Sequence, residues 1–471
     1  MKTTLLVTRN LLMAMSVLWT ALAAAENTAS AISPEMKATA TQLMQLARES
    51  QQGYDIVESL TTEVGPRLAG TEAEARARDW AVSKLKALGY SNVRVEPFDV
   101  PLWIRGIETA EIVSPFPQPL VITALGGSIS TGPEGVEGDI VSFPSPAALQ
   151  AAADGSLQGK IVFVDEVMTR TQDGSGYGVA GAKRRTTAYE AHRLGAVAAL
   201  IRSVGTSSHR FAHTGQMQRA IYERQTSVPA AALSAPDADQ LQRALRRDEP
   251  VRVKLVLTPE NLPPSQSGNV IAEIPGRETP DEIVLIGAHL DSWDLGTGAV
   301  DDGAGVGIVI GASKLIMDHL PRNPRRTIRV VLFGSEEVGL VGAKAYAEQH
   351  ADELEKHIVG AESDFGAGEI YQFQTRFAQD KLYIGKEIRE VLHPLGIGPG
   401  DNEASGGPDM LFVRLAGMPV ATLKQNGWDY FDLHHTPNDT LDKIDPAQLQ
   451  QNIAAYAAFI YLVAEMKEDF R

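Results

Sequence analysis

The sequence predicts an α/β protein: a mainly parallel mixed sheet with helices on both faces, interrupted by a β-rich insert. Three observations lead there. In the C-terminal part, short apolar runs alternate with stretches of helical apolar spacing, the pattern of strands buried on both faces by crossover helices. Between residues 101 and 262 the texture changes to short β-rich runs. The chain has 471 residues, 44% hydrophobic and 22% charged, enough for two or more domains with full cores.

The elements follow in order. Lys2 and Arg9 precede an apolar run from Leu11 to Ala24, and Ala23-Ala24-Ala25 supplies small residues before Glu26. That tripartite order predicts a signal peptide over residues 1–25, with the protein exported to a periplasm or secreted. The run is too short for a membrane anchor, and no later segment is long and apolar enough to span a bilayer. Ser33-Pro34-Glu35 opens a helical region to about Leu60, and Thr71 is the expected N-cap of a second helix ending at Gly89. Val64 to Thr71 between them reads as a loop, and Val93 and Val95 as the inward positions of a half-buried strand.

Residues 26–100 are thus the N-terminal part of the main domain, and residues 101–262 the insert. Gly159 to Val164 and Gly195 to Ile201 read as strands, as do the alternating Val251, Val253, Leu255 and Leu257. Pro263 to Gly268 reads as a linker into the remainder, residues 263–471. There, Ile283–Ile286, Ile328–Phe333, Ile358–Ala361 and Val420–Leu423 are the expected strands. Gly303–Leu320, Leu340–His350, Leu382–Leu395 and Pro446 to about Met466 are the expected helices.

Composition excludes several chemistries. A formal charge of −16 is a poor match for a phosphate backbone, so no nucleic-acid partner is expected. Cysteine is absent, which removes disulfides, thiolate metal sites, iron–sulfur clusters and cysteine nucleophiles. What remains is acid and imidazole, placed where strands end. His289 and Asp291 follow the first apolar run, Asp301 and Asp302 precede the next helix, Glu336 and Glu337 follow Phe333, Asp364 follows Ala361, and His434 and His435 lie near the C-terminus. Each group alone is commonplace: doubled acids cap helices and doubled histidines sit in loops. Jointly they meet in one cleft, because ligand crevices in open α/β sheets lie at the carboxyl ends of strands. Oxygen and imidazole donors without sulfur suit catalytic zinc, with cobalt or manganese as substitutes.

Four motifs make a resemblance specific. Gly287 to Asp294 with Gly298 to Gly303, Ser335 to Ala343, Glu362-Ser363-Asp364, and His435 to Thr440 resemble the metal motifs of the M28 family of co-catalytic zinc peptidases, and among them a carboxypeptidase subgroup. The resemblance implies a zinc-exopeptidase fold and identifies the insert as a protease-associated domain, with Gly159-Lys160-Ile161-Val162 its most typical piece. It also implies two zinc ions per chain. Asp301 would bridge them; His289 and Asp364 would complete one site, Glu337 and His435 the other. Glu336 would be the general base, and Asp291 the acceptor that orients the His289 imidazole. Family members have a cis peptide after the bridging aspartate, so Asp301–Asp302 is expected to be cis.

His435, the residue before Thr436, is the expected ligand and His434 its alternative. His434 or Tyr430 would donate to the oxyanion. Glu403 or Asp409 could meet a substrate ammonium, with solvated loop acid the plainer reading; Trp293 and Trp428 are pocket walls or core. The expected function is hydrolysis of unblocked dipeptides or short peptides, with a broad aminopeptidase on longer peptides as the alternative. A glutaminyl cyclase and an inactive binding module fit less well, because all five ligand candidates are present. A homodimer is expected from the resemblance alone.

Overall fold

The computed structural model of the chain describes residues 30–218 and 226–471; the expected leader at residues 1–25 lies outside them. The opening helical region is two helices, Pro34–Glu49 and Gln52–Glu63, because Ser50 between them is extended. Thr71 does cap the helix Glu72–Ala87, its hydroxyl accepting from the Glu74 N–H at 3.3 Å.

The chain then builds an eight-stranded mixed sheet. Its order is Ser91–Ile104, Glu260–Ile274, Arg326–Phe333, Thr279–His289, His357–Glu362, Val420–Gln425, Ile370–Arg376 and Gly398–Pro399. The four central strands, from Arg326–Phe333 to Val420–Gln425, are mutually parallel. The antiparallel pairings lie toward the edges.

Alternation sorts the central side chains onto two faces. Val284, Ile286, Val330 and Leu332 point to a core shared with the helices Pro34–Glu49, Ala304–His319 and Pro446–Glu465. Leu285, Val331 and Phe333 point the other way, onto Ala343, Tyr346 and Val413. Burial on both faces explains why these strands are continuous apolar runs. The strand Ile370–Arg376 escaped the sequence reading. It pairs antiparallel with Val420–Gln425 and is only partly buried, so no apolar run marks it; the short alternation of Tyr371, Phe373 and Thr375 with Gln372, Gln374 and Arg376 is its only signal.

A second eight-stranded mixed sheet lies between residues 108 and 257, with the helices Ser175–Arg193 and Ala235–Leu245 in the same stretch. The chain leaves the first sheet along Ser91–Ile104 and returns along Glu260–Ile274, and the two pair as a long antiparallel ribbon. Pro263 to Gly268 is therefore strand, not linker. The prolines are tolerated because the register slips there: Val100 and Leu102 face Ser265 and Leu262, leaving Pro263 and Pro264 in a bulge. At this junction Trp103 meets Trp293 edge-on, 6.3 Å between ring centres. No helix among the described residues is long and apolar enough to cross a membrane.

Candidate metal centre

The parallel strands of the first sheet all end at one place, and the polar residues after them converge there. His289 closes the strand Thr279–His289. Its Nδ1 lies 3.0 Å from the carbonyl oxygen of Asp291, which leaves Nε2 as the free nitrogen. That nitrogen faces Asp301 Oδ1 at 3.1 Å and Asp364 Oδ1 at 3.5 Å. His435 follows the same logic from another direction. Its Nδ1 is 3.2 Å from the Thr214 carbonyl oxygen, and its Nε2 faces Glu337 Oε2 at 2.9 Å and Asp301 Oδ2 at 3.3 Å. The Asp301 carboxylate thus stands between two groups of donors, one oxygen turned to each.

His434 also reaches this centre. Its ring stacks on that of His435, 3.5 Å between centres, and its Nε2 is 3.6 Å from Asp301 Oδ2. Tyr430 and Glu336 line the cavity of about 510 Å3 that opens onto the cluster. The residues expected to be ligands, base, orienting acid and oxyanion donors therefore lie in or directly against one site. The Asp301–Asp302 peptide bond is cis, as expected.

Asp291 acts differently from expectation. Its carbonyl, not its carboxylate, makes the closer approach to His289; the carboxylate is 3.6 Å away. Instead its two oxygens accept the backbone N–H groups of Glu336 and Glu337, at 3.1 and 3.3 Å. Asp291 therefore fixes the loop that carries both glutamates. Asp409 is buried beneath the site at 1% exposure and Glu403 pairs with Arg376 at 3.3 Å, so neither is offered to a ligand in the cavity. Trp293 is buried against the His435 ring, whereas Trp428 is half exposed under the Arg170 guanidinium.

Several residues that support the site were given no role in the sequence reading. Arg67, fully buried, donates from its side chain to the carbonyls of Gly65, Leu290, Thr297 and Gly298, clamping the loop between His289 and Asp301. Asp439 accepts the Val300 and Asp301 N–H groups at 2.6 and 3.2 Å. Asp302 accepts those of His289 and Gly305 at 3.1 and 3.0 Å. From the second sheet's segment, His213 Nδ1 lies 2.7 Å from the His434 carbonyl oxygen, and the Thr214 N–H donates to that of His435 at 3.1 Å. The Asp439 and Asp302 side chains stood inside motifs that could have signalled them. Arg67, His213 and Thr214 carried no such signal.

The electrostatics are those of acid crowded into a dry place. Burial, reinforced by Asp364 and Glu337, holds the Glu336 carboxyl well above the usual range. Burial works against a charged His435, yet Glu337 and Asp301 raise it to about 9. Burial opposes the charged form of Asp301 too, but His289 and His435 hold it well below its ordinary value. Behind Asp364, burial and the neighbouring carboxyls push Glu362 up to about 8 and raise Asp409 further out of its range.

The donors fit a cation on an independent ground. Asp301 Oδ2 and Glu337 Oε1 are buried without a hydrogen-bond partner, and an unpaired buried carboxylate oxygen is costly. The groups His289–Asp301–Asp364 and Asp301–His434–His435 each bring their donor atoms within the span of one ion. Asp301 belongs to both.

The chain is similar to known proteins over most of its length. The family description "Peptidase family M28" matches residues 269–460. Carboxypeptidase Q of Rattus norvegicus is 36% identical over 416 residues, 88% of this chain and 86% of that protein. The crystal structure of a peptidase M28 precursor from Shewanella amazonensis is 53% identical with a TM-score of 0.90, covering 93% of this chain and 98% of that one. A zinc aminopeptidase from Bacillus subtilis shares the fold, with a TM-score of 0.64 at 20% identity over 89% of this chain and 98% of that one.

Proposed function

The chain belongs to peptidase family M28, and on that premise we propose that it is an exported di-zinc exopeptidase hydrolysing unblocked dipeptides or short peptides. The observation that carries the reading is the Asp301 carboxylate, one oxygen 3.1 Å from His289 and the other 3.3 Å from His435. His289 and Asp364 would hold one ion, Glu337 and His435 the other, with Asp301 shared. Zinc is favoured by the Bacillus subtilis enzyme's description and by the donor set, which also suits cobalt or manganese.

Bound there, the two cations would polarise the scissile carbonyl and lower the pKa of a water toward neutrality. The remaining work falls to the chain. Glu336, half-buried and of raised pKa, takes the proton of the attacking water and passes it to the leaving amine. Asp291 keeps that carboxyl in place through the Glu336 N–H. His434 or Tyr430, both lining the cavity, donates to the developing oxyanion. Asp439 and Arg67 hold the Asp301 loop so that none of these distances must be found anew at each turnover.

The segment from residue 101 to 262 is read as a protease-associated domain, residues 26–100 and 263–471 as the peptidase domain around it, and residues 1–25 as the leader. Substrates are peptides with free ends, and the enzyme works in a periplasm or outside the cell, with two copies of the chain associating as a homodimer. One experiment tests the reading: hydrolysis of a dipeptide in free, N-acetylated and C-amidated forms, with metal content measured before and after chelation. Two zinc ions per chain and cleavage of the free form alone are expected. Equal cleavage of the amidated form and of longer peptides would make it an aminopeptidase instead. A chain that binds no metal and cleaves nothing would overturn the enzymatic reading.

A further inference from the structure

Four of the five expected ligands are held from within the first sheet's part of the chain. His289 ends a central strand, Arg67 and Asp439 clamp the Asp301 loop, and Asp291 fixes the backbone of Glu337. Beside Asp364, the Ser363 N–H donates to the Gly287 carbonyl at 3.0 Å. His435 is the exception. Among the described residues, every backbone hydrogen bond that residues 427–435 make beyond their immediate segment 426–436 goes to the inserted segment, residues 101–262. The Gly427 N–H donates to the Gln172 carbonyl at 2.9 Å, the Phe431 carbonyl accepts from the Thr206 N–H at 3.0 Å, and the Trp428 carbonyl accepts from Arg170. The Thr206 hydroxyl adds a bond to the Asp432 carboxylate at 2.8 Å.

His435 needs that support. Its φ is +60°, in the left-handed region that a residue with a Cβ disfavours. Thr214 bonds it twice: the Thr214 N–H donates to the His435 carbonyl at 3.1 Å, and the Thr214 carbonyl accepts from His435 Nδ1 at 3.2 Å. One residue earlier, His213 Nδ1 lies 2.7 Å from the His434 carbonyl oxygen; a carbonyl only accepts, so that nitrogen carries the proton. The His213 ring is in turn seated against Gly205, where an added Cβ would come within 2.3 Å of it. Together these bonds fix the backbone around the strained residue and the imidazole tautomer that leaves its Nε2 free.

We propose that His213 and Thr214 are positioning residues that hold His435 in its ligating conformation, so that the inserted segment completes one of the two cation positions. The position between His289, Asp301 and Asp364 is then built by the first sheet alone. The position between Asp301, Glu337 and His435 exists only while the inserted segment is seated on residues 427–435. Freed of Thr214, the His435 backbone relaxes out of the left-handed region, which carries Nε2 away from Glu337 and Asp301. The inference rests on the di-zinc reading above and gives the inserted segment a part in it that is separate from any contact with substrate.

The test is zinc stoichiometry and affinity of the full chain, titrated against a competing chelator, with the visible absorption of the cobalt-loaded protein as a second readout. The wild type should bind two zinc ions. His213→Leu removes the donor to the His434 carbonyl, and Gly205→Ala displaces the His213 ring without touching the centre. Each should weaken one ion by about 10- to 100-fold and leave the other unchanged, with the cobalt spectrum losing the contribution of a single ion. His213→Gln, whose amide still donates, should restore part of the affinity. In a His435→Gln background, which removes the ligand itself, His213→Leu should cause no further loss, because the two act through one group.

Two ions held at wild-type affinity in both His213→Leu and Gly205→Ala overturn the proposal while leaving the di-zinc reading intact. So does an equal weakening of both ions, which marks His213 as a general support of the fold, and so does a further loss in the His435→Gln background. A wild type that binds fewer than two ions overturns the di-zinc reading itself, and the proposal with it. If His213→Leu fails to fold, Gly205→Ala decides alone: an unchanged affinity there counts against the proposal.

Discussion

Replacing Arg67 by methionine would test how the candidate centre is held together. Methionine fills much of the same volume but makes none of the arginine's bonds. Four side-chain contacts disappear, to the carbonyls of Gly65, Leu290, Thr297 and Gly298. Each hydrogen bond from a charged group is worth about 1.5–3 kcal/mol net, and some of the freed carbonyls stay buried. The variant also removes a cation whose own charge burial disfavours but which Asp439, Asp291, Asp302 and Asp301 support. Apolar packing by methionine offsets part of the loss, leaving an expected destabilisation of about 3–5 kcal/mol. The loop carrying Asp301 should loosen as well, so metal affinity should fall by more than tenfold. Equilibrium urea unfolding and a competitive chelator titration measure the two effects. A loss of under 1 kcal/mol with unchanged metal affinity would refute the reasoning, because the clamp would then be ornamental.

Other consequences can be read more briefly. Glu336→Gln should lower kcat by a factor of about 100 to 10,000 while retaining both metal ions; loss of metal instead would mark it as a ligand. Tyr430→Phe and His434→Phe compared by kcat should single out the oxyanion donor by a loss of about 10- to 1,000-fold in one of them, and no loss in either would remove that role. Chelation should abolish turnover and lower the melting temperature, since the carboxylates around Asp301 lose their counter-charge; a stability unchanged by chelation would contradict the site. His357 is buried, and that burial lowers its pKa to about 4 from the ordinary 6.5. Its neutral form therefore supports the fold fully above pH 6.5, and that support is lost as pH falls toward about 4. Between pH 7 and pH 5 it should amount to about 2 kcal/mol. His357→Gln should flatten the pH dependence of urea unfolding by that amount, and an equally steep dependence in the variant would count against it.

The sequence was legible wherever burial is two-sided or caps are local. Ile283–Ile286 and Ile328–Phe333 announce parallel strands because covering helices demand apolar residues at every position. Thr71 announces a helix start because its hydroxyl acts within three residues. The reading failed where tertiary context overrode local chemistry. Pro263 and Pro264 look like a linker until a bulge in the ribbon leaves their missing N–H groups unneeded. Ile370–Arg376 was missed because its alternation is short and its burial only partial.

For the candidate site the division is sharper. Acid and histidine after successive strands, with no cysteine anywhere, settled that oxygen and imidazole donors would gather at the carboxyl ends of a sheet. The sequence alone also sufficed to name the family, because its motifs are short runs whose spacing survives without coordinates. Only the tertiary structure decided which Asp301 oxygen faces which histidine, that the Asp291 carboxylate holds backbone rather than imidazole, and that Arg67 clamps the loop. It alone brought Arg184, His213 and Thr214 from the second sheet's segment against His434 and His435. These partnerships join residues more than two hundred positions apart, a separation that no local pattern records. A chain of covalent neighbours records local preference and burial; the direction in which a carbonyl or a guanidinium points is set only when distant segments pack.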